Sequence, residues 1–117
     1  MGVRVIPGGA EPGVEIAALQ FTNTGSSTCR LGDFPHVLLL FGGRQIGSPS
    51  QPDGRSARTV TLSPGTTVES LLRDYSSCQA PLSDSARVTV PGETTTVVRP
   101  IRLRGCTLRV GPLGPPA

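Results

Sequence analysis

Tryptophan and lysine are absent from this 117-residue chain, and histidine and methionine occur once each. Aromatic residues make up 3% of it, too few rings to stack single-stranded bases, and no nucleic-acid partner is expected. The three cysteines contain no C-x-x-C pair, and with one histidine they match no zinc spacing. Phosphate-loop and calcium-loop motifs are missing as well, so no metal and no cofactor is expected. No apolar run approaches the ~18 residues that cross a bilayer, which excludes membrane insertion of this domain itself. The longest run, Val37 to Phe41, has the length of a strand.

Glycine and proline are plentiful, 15 and 12 respectively, a density that breaks helices almost anywhere. Apolar residues at 36% suffice for one packed core in a chain this long. The net charge of +3 comes from eleven arginines against eight carboxylates. All-arginine usage reads as a GC-rich genome. Five of the arginines (Arg87, Arg99, Arg102, Arg104, Arg109) fall in the last third, where only Asp84 and Glu93 oppose them.

Short runs of β-type residues recur between turn residues, the pattern of an all-β sandwich of about seven to eight short antiparallel strands. Strands are expected at 3–6, 14–22, 36–41, 58–62, 66–75, 87–90, 94–103 and 107–110. A hairpin over Phe41-Gly42-Gly43-Arg44-Gln45-Ile46 leads out of the third, and residues 51–56 read as a polar loop. Pro100 cannot donate to a ladder, so its strand carries a bulge or lies at an edge. One domain is expected over residues 1–113, with a flexible tail over 114–117; the whole stretch from Gly111 reads as frayed. Residues 1–10 have neither the charged nor the apolar region of a signal peptide. Met1-Gly2 reads as an added start, with native chain expected upstream.

Cysteines in a Gly/Ser/Pro-rich β chain suit disulfides and an oxidising compartment. With strands alternating up and down, Cys29, Cys78 and Cys106 all fall at one end, and three pairings stay open.

Period-2 alternation turns Val37, Leu39 and Phe41 inward and Leu38 and Leu40 outward. Either another segment covers these two leucines or they form a patch for a partner. Arg102 and Arg104 alternate with Ile101 and Leu103, so both are expected exposed. They form a solvated face, or a holder for an anionic envelope polymer, a lipid headgroup or an acidic protein. His36 would have to serve any Ser-His-Asp triad, with Asp33 or Asp53, yet no Gly-x-Ser-x-Gly elbow is present. No pair among Glu11, Glu15, Glu69, Asp74 and Glu93 is marked for glycoside hydrolysis. A non-catalytic role is expected, and a hydrolase is the weakest alternative.

From Ala17 to Val110 the order of motifs resembles an actinobacterial family of secreted and lipoprotein domains, catalogued as domain of unknown function 4232. The likeness rests on Leu19-Gln20-Phe21-Thr22-Asn23-Thr24-Gly25-Ser26-Ser27-Thr28-Cys29-Arg30-Leu31, then Phe34-Pro35-His36-Val37 and Gln45-Ile46-Gly47. Thr61-Leu62-Ser63-Pro64-Gly65, Cys78, Arg87-Val88-Thr89-Val90-Pro91 and Cys106 follow in the family's order. The resemblance implies an immunoglobulin-like β-sandwich displayed outside the membrane, and no activity, cofactor or ligand. His36 stands where the family usually has glycine, and the family's usual cysteine before the first strand is missing. That early cysteine would sit beside Cys29, which favours a Cys78–Cys106 disulfide and leaves Cys29 as a free thiol. The expected role is an extracytoplasmic interaction domain of a secreted or cell-envelope protein, with a protein or envelope component as partner. The alternative is a small-ligand or polyanion binder using the arginine-rich last third.

Overall fold

The computed structural model describes residues 1–75 and 78–116. Eleven strands lie among these residues: β1 (Gly2–Glu11), β2 (Val14–Thr22), β3 (Cys29–Leu31), β4 (His36–Phe41), β5 (Arg44–Ile46) and β6 (Gln51–Pro52) come first. They continue with β7 (Val60–Leu62), β8 (Thr67–Tyr75), β9 (Ser85–Thr89), β10 (Thr96–Pro100) and β11 (Leu108–Val110). A five-stranded sheet runs β1-β2-β8-β11-β6, a four-stranded sheet β10-β9-β4-β5, and β3 pairs with β7. The fold is an all-β sandwich, as the alternating runs and turn spacing dictate.

Each sheet turns one set of alternating side chains into a shared core. Ala17, Leu19 and Phe21 of β2 and Val68 and Leu72 of β8 meet Val37 and Leu39 of β4 and Ala86 and Val88 of β9. Burying a side chain such as Leu19 or Phe21 contributes about 2 kcal/mol from the apolar area withdrawn from water.

Two ends of the sandwich follow from the register. Thr22 lies opposite Thr67, and Val14 opposite Tyr75. The chain therefore leaves β2 and enters β8 at one end, and leaves β8 at the other. Phe41, Ser85 and Pro100 share that second end, because Leu40 lies opposite Ser85 and Ser85 opposite Pro100.

Several expectations need correction. Residues 51–56 are not wholly loop, since Gln51 and Pro52 run parallel to Arg109 and Val110. A two-residue parallel pairing carries no alternation long enough to be read. The strand expected over 94–103 stops at Pro100, on the edge strand β10, and residues 101–105 leave the sheet. The C-terminal stretch is not frayed through Gly114. Leu113 is fully buried, and Gly114 exchanges two backbone hydrogen bonds with Glu69 (2.8 and 2.9 Å). Burial of one leucine outweighs the weak order of a Gly/Pro tail.

Candidate functional site

A cleft of about 750 Å³ opens at the second end of the sandwich, between the edges of the two main sheets. One wall is the start of β2 (Glu15, Ile16) with the irregular stretch Pro7–Gly9 of β1, where the β1–β2 register shifts. The facing wall combines Phe41 with residues 82–84 and 100–103. Ile16 and Leu82 are half-buried, and Phe41 is 58% exposed. Glu15, Asp84 and Arg102 place charges at the rim. An apolar concavity with a few charged groups at its edge is the usual form of a binding site.

The chain sets this geometry with a small group of polar contacts. Gly8 must lack a side chain, because a Cβ there would lie 2.9 Å from the Ile16 carbonyl oxygen. Gly42 and Gly43, at φ 58° and 81°, make the two-residue hairpin turn between β4 and β5, which needs left-handed angles at both positions. The Asp84 carboxylate accepts the Gly42 N–H (3.0 Å) and the Ser85 hydroxyl (2.9 Å). These donors, the Gly42 amide foremost, hold its pKa below the usual carboxylate value. Phe41 is thereby pinned beside residues 82–84.

Residues 101–103 are gripped by buried Ser83. Its hydroxyl donates to the Ile101 carbonyl (2.7 Å) and accepts the Leu103 N–H (3.1 Å), and its own N–H reaches the Leu103 carbonyl (2.8 Å). Asp74, fully buried, anchors the next turn. Its Oδ2 accepts the Arg104 and Gly105 N–H groups at 3.1 Å each, and its Oδ1 the Thr107 N–H at 3.4 Å. Alongside, Cys78 and Cys106 form a disulfide with Cα atoms 5.7 Å apart.

Cys29 lies elsewhere. It pairs with Leu62 in the β3–β7 ladder and is a half-buried free thiol. Thr67 begins β8 opposite Thr22, so β8 descends, away from Cys29, and ends eight residues later near Cys78. At about 3.3 Å per residue the ends of β8 are about 26 Å apart. The expectation of three cysteines at one end is therefore wrong, because the short β5 and β7 steps add a reversal that a count of long strands omits.

Of the two outcomes left open for the leucines, the structure shows cover, and the departure from expectation is Phe41. Leu40 is only 4% exposed and Leu38 is half-buried, whereas Phe41, expected inward, is exposed. Leu40 is flanked by Gln45 of β5 and Ser85 of β9, which leaves little of it for a partner. Phe41 faces the core side but overhangs the sheet end, so its ring enters the cleft wall.

Arg102 is exposed on the cleft rim, while Arg104 is half-buried and donates from Nη1 to the Ala80 carbonyl (2.6 Å). The two do not form a matched exposed pair, because the segment has left the sheet and no longer alternates. His36 starts β4 at the end opposite the cleft, and among the described residues no hydrogen bond joins it to a carboxylate. Among the described residues no group of three His, Cys, Asp or Glu is placed to hold a metal ion.

Sequence reasoning missed Phe41, Ile16 and Leu82 as cleft residues. The Gly-Gly turn after Phe41 was the available signal, since it ends β4 and leaves the ring at the rim.

At the opposite end two of the motifs that carry the resemblance meet. Asn23, 4% exposed, donates from Nδ2 to the Ser27 and Leu62 carbonyls at 2.9 Å each and accepts the Gly25 N–H at 3.0 Å. Its backbone N–H reaches the Thr66 carbonyl (3.0 Å) and its carbonyl accepts the Gly65 N–H (2.8 Å). Asn-x-Gly and Leu-x-Pro-Gly thus form one buried joint between the end of β2 and the β7–β8 turn. Residues 2–114 match the family described as domain of unknown function (DUF4232). The chain belongs to that family. No curated protein and no solved structure matches it. Asn23 and Ser63–Gly65, which carry part of the resemblance read from the sequence, are joints of the sandwich and lie away from the cleft.

Proposed function

We propose that this DUF4232 domain is an extracytoplasmic, non-catalytic binding module of a secreted or envelope-attached protein, and that its cleft holds an apolar group of a protein or envelope component. The observation that carries the reading is the largely apolar cleft at one end of the sandwich, with Phe41 at its mouth. A large aromatic held 58% exposed on an ordered hairpin turn is a contact residue looking for a partner. The Cys78–Cys106 disulfide supports an oxidising compartment. No helix among the described residues is long and apolar enough to cross a membrane. Glu15, Asp84 and Arg102 at the rim would orient a ligand's polar end.

Calorimetric titration with octyl glucoside below its micelle concentration tests the reading with a neutral alkyl probe. Saturable binding by the wild type is expected, weakened about tenfold or more in Phe41→Asp, a change worth at least ~1.4 kcal/mol. Equal binding by both proteins, or none by the wild type, would reject the cleft as the site.

A further inference from the structure

The five-stranded sheet has a second face, turned away from the core. Leu72, Leu108 and Val110 point inward, so Arg73 of β8 and Arg109 of β11 point outward. These two arginines are direct cross-strand partners, which sets their Cβ atoms about 5 Å apart. Like charges in that position repel, and opposite or apolar pairs are the favourable choices. Both side chains are half-buried, so water screens them incompletely. Arg109 donates from Nη1 only to the adjacent Leu108 carbonyl (3.0 Å), and among the described residues Arg73 has no hydrogen-bonded partner.

A third guanidinium lies over the same face. Arg55 lies where a Cβ of Gly111 would be, with its Nη2 2.6 Å from that position. Gly111 follows Arg109 by two residues and therefore shares its face. Arg55 binds Asp53 through Nε (2.9 Å) and Nη2 (2.6 Å), the one ion pair among the described residues. The Arg55 hydrogen bond is the main cause holding the Asp53 carboxyl below its usual range, and the nearby Arg73 charge adds to it. Glu69, on the same outward face of β8, is engaged by the Gln20 amide (3.1 Å). Three guanidinium groups thus share this face with two carboxylates, Asp53 and Glu69. The local charge stays positive, about +1.

We propose that Arg73, Arg109 and Arg55 form a binding site for a phosphoryl group on the outer face of the five-stranded sheet. Guanidinium groups match tetrahedral oxyanions through paired N–H donors, and a bound oxyanion turns the Arg73–Arg109 repulsion into shared attraction. The site is separate from the cleft, and neither proposal depends on the other. It also departs from the arginines singled out by sequence, because Arg73 lies outside the arginine-rich last third.

The test is an NMR titration of the labelled protein with inorganic phosphate at constant ionic strength, with chloride as the control. Saturable shifts of the Arg73, Arg109 and Gly111 amides are expected. Affinity should fall about tenfold or more in Arg73→Gln and in Arg109→Gln, the loss expected of a charge-assisted bond, and hold in Arg58→Gln. Thermal melting gives a second readout: phosphate should raise Tm of the wild type, and Arg73→Gln should abolish that rise. Cosedimentation with phosphatidylglycerol vesicles, displaced by free phosphate, would identify a lipid headgroup as the source. Phosphate binding without cosedimentation would identify a soluble phosphate or phosphorylated solute. Shifts no larger than with chloride, or an Arg73→Gln protein that binds as the wild type does, would overturn the proposal.

Discussion

The two ends of the sandwich are built from different materials. At the Asn23 end, buried side-chain and backbone hydrogen bonds tie the exit of β2 to the β7–β8 turn. At the cleft end, residues 101–107 leave the sheet and are held by Ser83, Asp74 and the Cys78–Cys106 disulfide. The first end is closed by the sheets themselves. The second is stapled, and the staple leaves room for the cleft. The Asn-x-Gly and Leu-x-Pro-Gly motifs of the closed end make joints of the architecture, while the proposed binding surface lies at the open end. Loops that carry function on a rigid scaffold show this division of labour.

Removing the staple should have the largest effect. Cys78→Ser/Cys106→Ser opens a loop of 28-residue separation, which the chain-entropy relation values at roughly 3.5 kcal/mol of stability. Urea denaturation measures that loss. Hydrogen exchange sharpens the comparison: amides of Gly105 and Thr107 should speed up well before those of Asn23 and Gly65. Uniform acceleration at both ends would erase the distinction between them.

Asn23→Ala should come next, at about 2–3 kcal/mol, because it strands two carbonyls and one N–H that the side chain now satisfies. The loss should leave octyl glucoside affinity unchanged, since Asn23 is at the other end from the cleft. A variant that kept full stability would mean that the Asn23 joint is not what closes that end.

The smallest effect concerns acid. Asp84 has a folded pKa depressed from 3.8 by the Gly42 amide and the Ser85 hydroxyl. A depressed carboxylate adds stability above its unfolded value and loses it as pH falls through the folded value. The Gly42 amide resonance should therefore titrate at pH below 3.8, the unperturbed value, and should be flat in Asp84→Asn. A transition at or above 3.8 in the wild type would mean that Asp84 does not clamp the hairpin.

How far the sequence discloses this arrangement depends on the length of each pairing. The alternation of Ala17, Leu19 and Phe21, and of Val68 and Leu72, is long enough to identify strand and face together, and both faces are as expected. The same rule named the sides of Phe41 and Leu40 but not their exposure. Period-2 alternation states which side a residue takes, but not whether the facing sheet extends far enough to cover it. Cys78 and Cys106 were placed at the Cys29 end for a related reason, since β5 and β7 are three residues each and a short reversal leaves no periodic trace. The Arg73–Arg109 pair was invisible because register between strands 36 positions apart is set by tertiary packing. Arg104 looked like a surface charge, and only the fold shows it spent on the Ala80 carbonyl.

The central claim is that the cleft end receives the ligand while the Asn23 end only holds the fold. A chemical-shift map of the whole chain during titration with octyl glucoside tests it most directly. The account predicts shifts at Gly8, Ile16, Phe41, Leu82 and Leu103, and none at Asn23, Gly25 or Gly65. Shifts centred on Asn23, or spread evenly over both ends, would contradict it.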